Sequence, residues 1–196
     1  MQWKVHKNKK VYDGHFSVGL YEITHEKFSG DTTPKLHREL VGRNDAVALL
    51  PYDPVTDELV FVEQFRMGAL REEQPWIKEI VAGLIDENES IEEVAYREAE
   101  EEIGCVPSEI IKIGGFYTSP GGLSEWVDLF IGKISIGELD NNGGIEAEGE
   151  DIRVFKTSAS EALNMIESGE IKSAIAIIAL QWFAIHKEKI QKQWLD

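Results

Sequence analysis

Apolar and polar residues alternate with a period of two through short runs in residues 1–43. Segments 15–28 (HFSVGLYEITHEKF) and 36–43 (LHRELVGR) show the alternation of half-buried strands, with SGDTTP between them as a turn. Segments 46–50 and 59–64 are more nearly continuous in apolar character. They predict buried strands on either side of the turn PYDPVTDE. A further strand is expected over 77–82, running into Gly83. The period then changes. Residues 90–103 repeat as a helix does, 110–117, 125–134 and 152–156 read as strands, and 158–168 and 171–193 read as helices. Between them, 137–151 (GELDNNGGIEAEGED) has no period, only glycine and acid, and reads as a long loop. Strands interleaved with helices predict an α/β sandwich around a mixed sheet. An antiparallel β region over residues 1–43 precedes a main domain over 44–196.

Composition narrows the function. A chain of 196 residues, 42% hydrophobic, makes one domain with at most a small appendage. Its net charge of −16 argues against nucleic acid and anionic membranes as partners. Such a surface still admits a small phosphate ester if metal ions and a few arginines intervene. Cys105 is the sole cysteine, so no internal disulfide forms, which fits a reducing, cytoplasmic setting. The five histidines lack metal-ligand spacing, which argues against zinc. The N-terminal MQWKVHKNKKVY is basic without an apolar core, so no signal peptide is expected. The longest apolar run, AIAIIALQWFA at 174–184, is too short to span a bilayer and is interrupted by Gln181.

The helix over 90–103 holds the candidate chemistry. Ser90 and Glu93 have capping-box spacing, and Gly104 is a natural stop. At about 100° per residue, Ile91, Val94, Ala95, Glu98, Glu101 and Glu102 share one face. The stripe that should face the core therefore begins apolar and ends in three carboxylates. Those carboxylates sit at the helix C-terminus, where the macrodipole disfavours each by ~0.3–1 kcal/mol. A bound divalent cation would reverse the sign of that cost, and carboxylate oxygens suit Mg²⁺ or Mn²⁺. On charge alone the segment reads equally well as a solvated acidic helix. The spacing decides. Gly83, Glu89, Arg97, Glu98, Glu101, Glu102 and Gly104 follow G-x5-E-x7-R-E-U-x-E-E-x-G-U, where U is a bulky aliphatic residue. This resembles the signature of the Nudix hydrolases, with Ala99 and Cys105 standing at the U positions.

Three other places are candidates. The acidic loop with Glu146, Glu148, Glu150 and Asp151 is either a solvated connection or a lid that supplies another metal ligand and a general base. Ser119-Pro120-Gly121-Gly122-Leu123-Ser124-Glu125 fixes a sharp turn that allows close approach of a ligand, though it also reads as an ordinary turn. Arg38, Arg43 and Arg66 are natural phosphate partners in an acidic chain, and equally natural surface ion-pair residues.

The resemblance extends along most of the chain. HRELVGRNDAVALLPYDPVTDELVFVEQFR, PWIKEIVAGLIDENES, the helix signature, SPGGLSE, EGEDIRV and AIIALQW are similar to segments of the bacterial ADP-ribose pyrophosphatases of the Nudix superfamily. That resemblance implies an α-β-α sandwich with a mixed sheet. It implies Mg²⁺ held by the Ala82 carbonyl, Glu98, Glu102 and Glu150, with Glu101 close by and Glu148 as base. It assigns Arg66 to the pyrophosphate, and Arg38, Glu39, Glu125 and Arg43 to the substrate site. It places His15 or Phe16 where an aromatic stacks on adenine, and Ser119 in the turn beside the substrate. It further implies a homodimer in which the N-terminal β region is exchanged. The substrate implied is a nucleoside diphosphate sugar, ADP-ribose first. GDP-mannose is the near alternative, because related enzymes carry the same turn and loop. A module that binds ADP-ribose without hydrolysis would be expected to lose signature glutamates, and all are present.

Overall fold

The computed structural model describes the chain except for Asp140, Asn141, Glu146, Glu148 and the side chain of Glu138. In chain order the elements are β1 (Trp3–Asp13), β2 (Ser17–His25), β3 (Leu36–Gly42), β4 (Ala46–Asp53), β5 (Glu58–Phe65), β6 (Trp76–Glu79), β7 (Val81–Leu84), α1 (Ile91–Ile103), β8 (Glu109–Tyr117), β9 (Trp126–Lys133), β10 (Asn142–Gly143), β11 (Ile152–Ser158), α2 (Ala159–Glu167) and α3 (Ala174–Leu195). They divide into two compact units, residues 1–45 with 116–127, and residues 46–115 with 128–196.

The first unit is built on an antiparallel sheet in the order β1-β2-β3. Within the expected 1–43 β region, residues 3–13 form a strand of their own, β1, paired to β2 from Trp3↔His25 to Asp13↔Ser17. Every residue of β1 is exposed, so backbone pairing rather than burial fixes it. The 119–125 turn belongs to this unit. Val41 N–H donates to the Gly122 carbonyl, and Ser124 N–H donates to that of Val41.

The second unit carries the mixed eight-stranded sheet, along the path β10-β11-β5-β4-β9-β8. All eight residues of β4 are buried, which requires cover on both faces. On one side Val47 and Leu49 join Val94, Ala95, Ala99 and Ile103 of α1 in a core. On the other, Tyr52 packs edge-on against Phe183 of α3, with ring centroids 4.8 Å apart. This is the expected α-β-α arrangement.

Two boundaries differ from expectation. β4 runs on through Pro51 to Asp53. On the β5/β7 side, β4 pairs with β7 up to Leu49↔Val81 and with β5 from Tyr52↔Leu59 onward, and residue 51 falls between the two. The single strand expected over 77–82 is two. β6 pairs with β5 (Val62↔Glu79) and β7 with β4 (Leu49↔Val81), and the chain changes neighbour at buried Ile80. β4 and β5 thus part beyond their hairpin, and the 76–84 segment fills the gap. The stretch read as a loop over 137–151 contains a 3-10 turn, Ile136–Glu138, and the short strand β10, which pairs with β11.

Candidate active site

Helix α1 starts and stops as its sequence dictates. Ser90 Oγ accepts from Glu93 N–H at 3.3 Å, Glu93 Oε2 accepts from Ser90 N–H at 2.8 Å, and Gly104 ends the helix at φ 65°. The inward face buries Val94, Ala95, Ala99 and Ile103, and among them Glu102, only 3% exposed. Glu102 Oε2 accepts from Ala82 N–H at 3.1 Å. Burial, and then the charge of Glu98, pushes the Glu102 carboxyl well above its ordinary range, while the Ala82 N–H and the Arg66 charge oppose the shift. Glu98 is raised as well, first by burial. Arg97 counteracts that, and the charges of Glu101 and Glu150 add to it.

Arg97 organises the rest. Its Nε and Nη2 donate to the two oxygens of Glu89 at 2.9 and 3.0 Å. Its Nη1 donates to Glu98 Oε1 at 2.6 Å and Glu101 Oε2 at 3.0 Å. These contacts favour the cationic form of Arg97, Glu89 most of all. Sequence reasoning gave this arginine no role of its own. Its i,i+4 spacing to Glu101 was the available signal. Gly83 supplies room, since a Cβ there would overlap the Glu98 carboxylate. The end of the acidic loop docks on the same helix, where Gly144 N–H donates to the Glu101 carbonyl at 2.9 Å. Glu150 is exposed, and its Oε2 accepts from Ile145 N–H at 3.1 Å. Its charge nevertheless reaches both Glu98 and Glu102. Glu148, the expected base, lies outside the described residues. Arg66 Nε donates to Glu79 Oε2 at 2.7 Å, and sequence reasoning missed that partner. The two are separated along the chain and meet only through the β5–β6 ladder.

Among the described residues, no three metal-ligating side chains are grouped closely enough to hold an ion as they stand. The chemistry of the site nonetheless fits a hard cation. A nearly buried carboxylate has one N–H donor, a second carboxylate occupies the space a Cβ at Gly83 would take, and the donors are all oxygens.

The remaining candidates lie in the first unit. Arg43 Nη1 pairs with Glu125 Oε1 at 3.3 Å, and the guanidinium lies 5.3 Å from the Phe16 ring centroid. Its Nε is buried and has no hydrogen-bond partner among the described residues. His15 meets Phe16 edge-on at 5.0 Å, so one face of Phe16 is already occupied by Arg43. Glu125 is 8% exposed, and Ser119 is exposed in its turn. Arg38 and Glu39 are exposed neighbours on β3 and so point to opposite faces of that strand.

The NUDIX domain family model matches residues 42–187, which span both the sheet and the helix just described. The chain belongs to the Nudix family. It is 40% identical over 185 residues to the ADP-ribose pyrophosphatase of Escherichia coli (strain K12), covering 94% of this chain and 88% of that protein. It is 32% identical over 188 residues to the ADP-ribose pyrophosphatase of Haemophilus influenzae, covering 94% and 87%. It is 33% identical over 179 residues to the GDP-mannose pyrophosphatase of Shigella flexneri serotype 5b, covering 90% and 92%. A solved structure described as an ADP compounds hydrolase superposes with a TM-score of 0.73 at 20% identity, covering 98% of this chain and 96% of that one, which bears on the fold. No helix among the described residues is long and apolar enough to cross a membrane.

Proposed function

We propose that this Nudix enzyme hydrolyses ADP-ribose to AMP and ribose 5-phosphate in a Mg²⁺-dependent reaction. The observation that carries the reading is Glu102, a carboxylate buried against the Ala82 N–H at the end of a signature whose seven specified residues all match. Glu98, Glu102, Glu150 and the Ala82 carbonyl would hold Mg²⁺, with Mn²⁺ as a substitute. The cation's contribution is to offset the pyrophosphate charge and polarise the P–O bond. The chain supplies the rest. Arg97 holds Glu98 and Glu101 in place from one side. Arg66 meets the pyrophosphate, and a carboxylate oxygen of Glu148 takes the proton of the attacking water. The water oxygen bonds to phosphorus as the bridging P–O bond breaks, and the two phosphate monoesters leave.

Arg38, Glu39, Arg43, Glu125, Ser119 and the His15–Phe16 pair would bind the rest of the substrate. Residues 1–43 would act as the dimerisation region of a homodimer. Two facts support that part of the reading. Every residue of β1 is exposed, Trp3 and Tyr12 included, and it carries Lys4, Lys7, Lys9 and Lys10 in a chain of net charge −16. A strand of that kind favours an acidic partner surface, and a second copy provides one. A cytoplasmic location fits the single buried thiol.

The GDP-mannose pyrophosphatase relatives keep a second reading in play, hydrolysis of another nucleotide sugar. A panel of ADP-ribose, GDP-mannose and other nucleotide sugars with Mg²⁺, products resolved by chromatography, decides between them. Release of AMP from ADP-ribose at the highest kcat/KM is the expected outcome. A higher value for GDP-mannose would transfer the assignment.

A further inference from the structure

Arg66 is fixed at both ends of its side chain's origin. Its backbone N–H donates to the Pro75 carbonyl at 3.0 Å, and its Nε donates to Glu79 Oε2 at 2.7 Å. Among the described residues its side chain makes no other hydrogen bond or ion pair, which leaves both terminal nitrogens open. Glu79 is the less accessible partner, 19% exposed against 45% for the Arg66 side chain. It ends β6, opposite Val62 of β5, and the same segment continues through Ile80 to Val81 and Ala82, whose N–H meets Glu102. One short stretch of backbone therefore holds Arg66 through Glu79 and Glu102 through Ala82. Arg66 is also close enough for its charge to favour the ionised form of Glu102.

We infer that Glu79 is a positioning residue for Arg66: it holds the guanidinium by Nε and presents both terminal nitrogens as a fork to the substrate's pyrophosphate. The inference rests on the reading of Arg66 as a pyrophosphate contact. A guanidinium tethered at one nitrogen loses less freedom on binding a phosphate pair than an untethered one.

The test is a double-mutant cycle over Arg66 and Glu79, with kcat and KM for ADP-ribose measured at saturating Mg²⁺, alongside the Mg²⁺ concentration for half activation and the urea unfolding midpoint. Glu79→Ala should raise KM roughly three- to tenfold, the cost of immobilising one long side chain on binding. The kcat and the Mg²⁺ midpoint should stay unchanged. Glu79→Gln, which keeps an acceptor for Nε, should recover part of the loss, and it carries the test if the alanine variant fails to fold. In an Arg66→Ala background, either Glu79 substitution should have no further effect on KM. If the Glu79 effect persists there undiminished, or moves the Mg²⁺ midpoint in place of KM, the positioning role is wrong. If Arg66→Ala alone leaves KM and kcat at wild-type values, the pyrophosphate contact itself is wrong, and the inference falls with it for that separate reason.

Discussion

Glu102 is a carboxylate at 3% exposure with the Ala82 N–H as its donor, next to a second carboxyl also shifted upward. In metal-free protein its folded pKa exceeds the unfolded value of about 4.3, so between the two values the folded state holds more protons than the unfolded state. Stability therefore falls as pH rises from the unfolded value toward the raised folded one. Glu102→Gln removes that charge while keeping shape. The variant should be more stable than wild type in EDTA at neutral pH, and the advantage should shrink below about pH 4, where both carry a neutral group. With Mg²⁺ the order should invert. An ion at a hundred times its Kd adds about 2.7 kcal/mol to a binding-competent protein, and the variant should show little of it. Turnover should fall by orders of magnitude in the variant and vanish in wild type with chelator, returning with Mg²⁺ or Mn²⁺. Full activity in excess EDTA would sink the metal reading. The sequence already held the contacts that lie close together along the chain. The Ser90–Glu93 box, the Gly104 stop and the face that turns from Val94 to Glu102 were all readable from spacing. It did not hold Ala82–Glu102 or Arg66–Glu79. Those pairs form only after strands select their neighbours, and nothing at the level of composition marks one glutamate among many.

At the scale of elements, the change of neighbour at Ile80 sets the site, because it brings β7 beside β4 and turns Ala82 and Gly83 toward α1. The strand over 77–82 was visible, but its sequence gives no sign of where pairing switches from one strand to the next. Asp53 shows how the far end of the same sheet is closed. At 5% exposure, Oδ1 accepts from Val55 N–H at 2.8 Å and Thr56 N–H at 3.2 Å, and Oδ2 from Ile136 N–H at 3.0 Å. Asp53→Ala leaves those donors without their acceptor and should destabilise the protein by about 2–3 kcal/mol. Urea denaturation should show it, with kcat/KM unchanged in the native range because, among the described residues, Asp53 bonds to none of the candidate catalytic groups. A loss of under about 0.5 kcal/mol, the range of ordinary surface substitutions, would mean that other acceptors replace it. The acidic loop gives the opposite pattern. Glu150 is exposed and Glu148 belongs to the same segment, so neither replacement should alter the unfolding midpoint. Glu148→Gln should lower kcat strongly with little change in KM, as loss of a transition-state role does. Glu150→Gln should raise the Mg²⁺ concentration needed for half activity. Wild-type turnover in both variants would return the loop to a solvated connection.

At the scale of the whole molecule, residues 1–45 with the 116–127 segment form a unit with little burial of its own. The β1-β2-β3 sheet leaves every residue of β1 exposed, and roughly 40 residues cannot normally bury enough apolar surface to stand alone. Exchange of this region between two subunits would cover it and would explain why Arg38 and Glu39, exposed on β3, match substrate-site positions in the family the chain resembles. Each active site would then be built from two chains, Glu102 from one and Arg38 from the other. Arg38→Ala and Glu102→Gln should each be inactive alone. In a heterodimer of the two, one site holds both lesions and the other holds neither. Random re-pairing after co-refolding makes half of the dimers mixed, and each mixed dimer has one intact site. Specific activity should therefore recover to roughly a quarter of wild type if the sites act independently. The two variants separately refolded and then combined without exchange supply the baseline, and sedimentation supplies the mass. A monomer at assay concentration, or a co-refolded mixture no more active than its parents, would place Arg38 within its own chain's site or outside the site altogether.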